Sequence, residues 1–115
     1  MPQQTDKILE DILGWAKGIA IISGVDTLDA DHLILGAIKC REKYDVLNGF
    51  FQLDDKFGAD MQAGLRKAFE NVSEPVTTQK MKLSPRLDKI IEENWRRYGG
   101  LKAEELLKSI KDSLA

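Results

Sequence analysis

The chain has 115 residues, 43% hydrophobic and 31% charged, with a formal net charge of −2. That length suits one domain, and the slightly acidic balance argues against a duplex-binding surface, which needs a clustered basic excess to displace counterions. The lone Cys40 excludes an internal disulfide, no apolar run reaches the roughly 18 residues of a membrane span, and the polar Met1-Pro2-Gln3-Gln4 lacks the order of a signal peptide. A single cytoplasmic domain is expected, with neither nucleic acid nor membrane as partner.

Apolar residues recur at helical spacing along the chain, and no stretch alternates with a period of two. The first helix runs from about Asp6 to Ser23, with Ile8, Leu9, Ile12, Leu13, Ala16, Ile19 and Ala20 as its core face. Thr5 or Asp6 can cap its start, and Gly24 can end it in a left-handed conformation. Gly14 and Gly18 interrupt it and read as close-approach points for a neighbouring helix. A second helix begins after Asp29, whose carboxylate can cap free amides while Asp31 adds favourable charge. Leu33, Ile34, Ala37 and Ile38 form its buried face. A short apolar segment, Val46 to Leu53, is followed by a helix from about Ala59 to Val72 carrying Met61, Leu65, Ala68, Phe69 and Val72.

Ser73 to Lys82 is polar, contains Pro75 and reads as a connector. Ser84-Pro85 then opens a helix, with serine as cap and proline in the first turn. Leu87, Ile90, Ile91, Asn94, Trp95 and Tyr98 supply its face, and Gly99-Gly100 ends it. The last helix uses Ala103, Leu106, Leu107, Ile110 and Leu114. The fold class expected is all-α, with roughly six helices.

The two halves echo each other. Leu13, Ala16 and Ala20 match Ile91, Asn94 and Tyr98 at an offset of 78, and Leu28 to Ile34 matches Leu101 to Leu107 at an offset of 73. The second copy has therefore lost about five residues between its helices. Neither copy can bury its apolar face alone, whereas two stacked copies share one core. Repeat one covers about 5–72, a linker 73–82, and a shortened repeat two 83–115.

Leu13-x-x-Ala16-x-x-x-Ala20, Gly24, Leu28 and Asp31-His32-Leu33-Ile34-Leu35-Gly36 resemble the N-terminal repeat domain of Clp-type AAA+ unfoldases. That family reads L-x-x-A-x-x-x-A, then Gly, then I-G-T-E-H-L-L-L-G. Leu83-Ser84-Pro85-Arg86 resembles the opening of the family's second repeat. Ala30 stands where the family has threonine, which moves the cap to Asp29. Glu105 stands at the second repeat's histidine position, and the chain stops before the two small helices that finish that repeat in the family. The resemblance implies a double Clp N motif-like bundle of two related repeats with pseudo-twofold symmetry. It further implies a module without catalysis of its own, which docks client polypeptides or an adaptor for a Clp-type ATPase or protease complex. Leu13, Ala16, Ala20, Gly24, His32, Leu33 and Gly36 would be its structural motif residues. The chain would be either the N-terminal domain of a long unfoldase or a free-standing accessory subunit.

No G-x-x-x-x-G-K-[S/T] phosphate loop occurs, so the motor is expected outside this chain. No cofactor or metal is expected. His32 has only Asp29 and Asp31 nearby, a set that would suit a small hydrolase but lacks distinguishing spacing. Its plainer role is to fasten a helix start by hydrogen bonding. Cys40 has no nominated base and reads as a small apolar residue. Asp31 and Glu104 occupy corresponding acidic positions, and in some family members that position helps receive a guanidinium-bearing peptide. A carboxylate suits this role because its two oxygens match the planar arginine fork, while dipole compensation at a helix start is the simpler reading. Trp15 and Trp95 read as core. Phe50 and Phe51 are adjacent and cannot both point inward from a short helix, which makes them candidate docking anchors. Glu92-Glu93 and Arg96-Arg97 read as a solvated face of i,i+4 pairs. A helical dimerisation domain is a further alternative.

Overall fold

The computed structural model describes residues 7–40, 43–44, 63–76 and 80–114. The chain is mostly helical, compatible with the all-α expectation. In order come α1 (Lys7–Ile22), β1 (Thr27–Leu28), α2 (Ala30–Cys40), α3 (Ala63–Asn71), β2 (Lys82–Leu83), α4 (Pro85–Tyr98) and α5 (Ala103–Leu114). The apolar segment Val46 to Leu53, with Phe50 and Phe51, lies outside the described residues, as do Met61 and the proposed caps Thr5 and Asp6.

α1 ends where Gly24 takes φ +85°. The Gly24 amide donates to Ile21 O at 3.0 Å and the Val25 amide to Ala20 O at 3.0 Å, the paired bonds of a Schellman stop. Ser84 caps α4 from an extended conformation, its hydroxyl accepting from the Leu87 amide, with Pro85 in the first turn. Gly99, at φ +71°, closes α4 by donating to Trp95 O. These three boundaries follow directly from residues that satisfy or terminate the backbone ladder.

α1 and α2 form the centre. Six consecutive residues of α2, His32 to Ala37, are buried, because the helix has neighbours on opposite sides. On one side Leu9, Ile12, Ala16, Leu33 and Ala37 join Leu87 and Ile90 of α4 and Leu106, Leu107 and Ile110 of α5 in the main core. On the other, Ile19 and Leu35 pack with Ala68 and Val72 at the end of α3. Half-buried Trp15 and Ile38 touch both clusters. α1 and α2 approach closely at Gly36, where a Cβ would lie 2.5 Å from Ile12 O and 3.0 Å from Ala16 N.

Two sequence readings need correction, and the reading of the connector gains detail. The groups facing Gly14 and Gly18 are not a neighbouring helix but the stretch just after α3. A Cβ at Gly14 would meet Pro75 at 2.7 Å and one at Gly18 would meet Val72 at 2.8 Å. The Val76 amide donates to Gly14 O at 3.0 Å. The polar connector is therefore partly seated on α1, held by room that only missing side chains leave. Its far end also forms structure. β2 pairs in parallel with β1, Thr27 beside Lys82 and Leu28 beside Leu83, although neither two-residue strand is long enough to show alternation. Finally, Trp95 is not core: it and Tyr98 are each 50% exposed. The α4 stripe is wider than the surface covering it, and Leu87, Ile90 and Asn94 occupy the covered centre.

Candidate functional site

β1 and β2 each run directly into a helix start, so their pairing sets the N-termini of α2 and α4 side by side. The Ser84 amide donates to Leu28 O at 2.7 Å, locking the two entrances together. Both ends carry partial positive charge from unpaired amides, and carboxylates gather there.

Asp29 is the hub. Its backbone carbonyl accepts from the His32 amide at 3.1 Å and the Leu33 amide at 3.4 Å, starting α2. Its Oδ1 accepts from the Ala30 amide at 2.8 Å, from the Ser84 hydroxyl at 2.7 Å and from Arg86 Nε at 3.3 Å. Arg86 Nη2 donates to Asp29 Oδ2 at 3.0 Å and to Asp31 Oδ1 at 3.4 Å. Partial burial works to raise the Asp29 pKa, but the donors from Ser84, Ala30 and Arg86 outweigh it and hold the carboxyl below its ordinary value. The caps are thereby coupled: the serine hydroxyl that accepts from Leu87 in α4 donates to the aspartate of α2.

His32 completes the α2 cap. Its Nδ1 accepts from the Asp29 amide at 2.9 Å, the role a glutamate or glutamine plays in a capping box. Burial lowers its pKa against the opposing pull of Asp29 and Asp31, so the neutral ring, with Nδ1 unprotonated, is the form that makes this bond. The bond is the fastening role read from the sequence. Among the described residues no three histidine, cysteine or acidic side chains converge as metal ligands. Cys40 is buried and its thiol is pushed up to about 12, first by burial and then by Asp11.

An open depression of about 720 Å³ lies over this junction, lined by Val25, Asp26, Thr27, Asp29, His32 and Ser84. Ile21, Ile22 and Val25, all substantially exposed, give the end of α1 an apolar edge. The site therefore offers apolar contact beside a carboxylate pair already gripping a guanidinium. Asp31 belongs to it directly. Glu104 sits exposed in the first turn of α5, with no hydrogen bond or ion pair to Asp31. Among the motif residues Ala16, Ala20 and Leu33 are fully buried, Leu13 packs half-buried on the main core, Gly24 stops α1, and Gly36 admits α1. Sequence reasoning missed Arg86 and the Ser84–Asp29 bond. Their signal was the shared leucine-then-cap order of Leu28-Asp29 and Leu83-Ser84.

A second polar cluster joins α1 to the residues after α2. The Tyr44 hydroxyl and Lys43 Nζ both donate to Asp11 Oδ2, the latter at 3.1 Å, and Lys7 lies 3.7 Å from Oδ1. Burial opposes ionisation of Asp11, but these partners lower its pKa on balance. No protein-family model, curated protein or solved structure matches the chain.

Proposed function

We propose that the chain is a protein-binding module of the Clp N-terminal type, presenting client polypeptides or an adaptor to a Clp-type ATP-dependent unfoldase or protease complex. The observation that carries this reading is the placement of Arg86: its guanidinium spans Asp29 and Asp31, and Asp29 is one of the residues that line the open depression. The junction thus already holds the group that an arginine-bearing peptide would bring, with apolar surface beside it.

The repeat gains support from burial. Ala30 and Ala103, Leu33 and Leu106, Ile34 and Leu107, and Ala37 and Ile110 are corresponding pairs, and all eight side chains are buried. Leu13 and Ile91 both pack half-buried against the main core. Ala20 and Tyr98 break the pattern, one buried and the other exposed.

Calorimetry with arginine-containing unfolded peptides tests the reading. Asp31→Asn should weaken binding, and Arg86→Ala should strengthen it by vacating the carboxylates. Absence of binding to such peptides, to adaptors and to Clp-type ATPases would remove the proposal.

A further inference from the structure

α4 carries a face that the core leaves uncovered. Trp95 and Tyr98 stand three residues apart, neighbours on a helix surface, and each exposes half of its area. Half-buried Ile91 continues their stripe toward the helix start. Arg97 lies over the Tyr98 ring, 6.0 Å from its centroid. Beside Trp95, Glu92 and Arg96 pair at 3.5 Å with side chains 68% and 74% exposed.

The order of these charges is self-complementary. If two copies of α4 lie antiparallel about a two-fold axis near Asn94 and Trp95, each Glu92 meets the other copy's Arg96. A second copy of the chain therefore supplies both apolar surface for Trp95 and Tyr98 and an opposite charge for Glu92 and Arg96 on one flank of that surface. With a net charge of only −2, copies repel each other little.

We infer that α4 is a homodimerisation face, on which two copies pack antiparallel through Trp95 and Tyr98 while Glu92 and Arg96 exchange their intrahelical partner for the other copy's. Such an interface is isologous and closes at two subunits. A tryptophan or tyrosine buries about 150–250 Å² when fully covered. Four half-exposed rings therefore contribute roughly 400 Å², well under the ~1,200 Å² of a stable complex. The dimer is weak and governed by concentration.

Sedimentation velocity on the full chain, from about 10 μM to about 1 mM at low salt, reads this directly. The wild type should move from monomer toward dimer across that range, and Trp95→Ala should shift the midpoint upward by about tenfold or more. Glu92→Arg and Arg96→Glu should each abolish association alone, because like charges then face one another. An equimolar mixture of those two variants should regain it, because each acidic side chain again meets a basic one. Circular dichroism verifies that each variant is folded. A wild type monomeric throughout, a Trp95→Ala variant that associates normally, or a mixture no better than its components would each overturn the inference.

Discussion

Gly36→Ala tests whether the centre of the molecule depends on direct backbone contact between α1 and α2. The added Cβ would stand 2.5 Å from Ile12 O, 3.0 Å from Ala16 N and 3.4 Å from Ala16 Cα. All three are backbone atoms inside a helix, so no side-chain rotation relieves them, and the two helices must separate by several tenths of an ångström. A gap of about 0.5–1 Å already forfeits a quarter to a half of each facing dispersion contact, and overpacked cores lose about 1–3 kcal/mol or more. Alanine returns about 1 kcal/mol of helix propensity. Because the clash is with backbone on a fully buried seam, the upper part of the range applies, leaving a net loss of about 2 kcal/mol. Gly64→Ala is the control, since nothing lies within 4 Å of its Cβ position in α3; it should gain about 0.5–1 kcal/mol. Urea unfolding followed by circular dichroism measures both, with a thermal midpoint lower by roughly 8 °C for Gly36→Ala. A Gly36→Ala protein as stable as the wild type would refute the close-contact argument.

Three further outcomes follow from the polar groups. Asp29 and Asp11 both have lowered pKa values, so their stabilisation is present above the unfolded carboxylate range near ~4 and is lost as pH falls through their folded values. Asp29→Asn keeps a capping oxygen but should flatten the acid limb of a stability–pH profile; an unchanged limb would contradict the assignment. His32 also has a lowered pKa, so its contribution is complete above about pH 6.5 and declines as pH drops toward the folded value. His32→Gln can still accept from the Asp29 amide, and denaturation at several pH values should show near-native stability at neutral pH without that decline. Asn94 is buried, with Nδ2 donating to Ile90 O and Ser109 Oγ but Oδ1 unpartnered. Replacing both partners, Asn94→Leu with Ser109→Ala, removes the buried acceptor without stranding the serine hydroxyl and should keep stability within about 1 kcal/mol of the wild type in chemical denaturation, whereas Asn94→Leu alone should be the less stable of the two variants.

Local chemistry was readable in advance and long-range chemistry was not. Gly24, Ser84-Pro85 and Gly99 mark boundaries because each acts on backbone groups a few residues away. Asp29 was identifiable as a cap for the same reason. Its partners Ser84 and Arg86 lie 55 and 57 residues further along, and the only hint of them is the leucine-then-cap order that Leu28-Asp29 shares with Leu83-Ser84. Gly14 and Gly18 revealed that something must come close, but not that it would be Val72 and Pro75. Trp95 failed differently. Apolar spacing defines a stripe, while burial depends on which flank of that stripe a neighbour reaches, and α5 covers Asn94 through Ser109 rather than the indole.

The clasp at Asp29 also carries a schedule. α1 and α2 meet through a short turn, so their contact can form as soon as both have been synthesised. The guanidinium that bridges Asp29 belongs to a residue made 57 positions later, a delay of roughly 3–11 s at translation speeds of about 5–20 residues per second. Throughout that interval α2 has its own cap from Asp29 and His32 but lacks the arginine that bridges Asp29 and Asp31 in the finished fold, so α4 brings the clasp to completion.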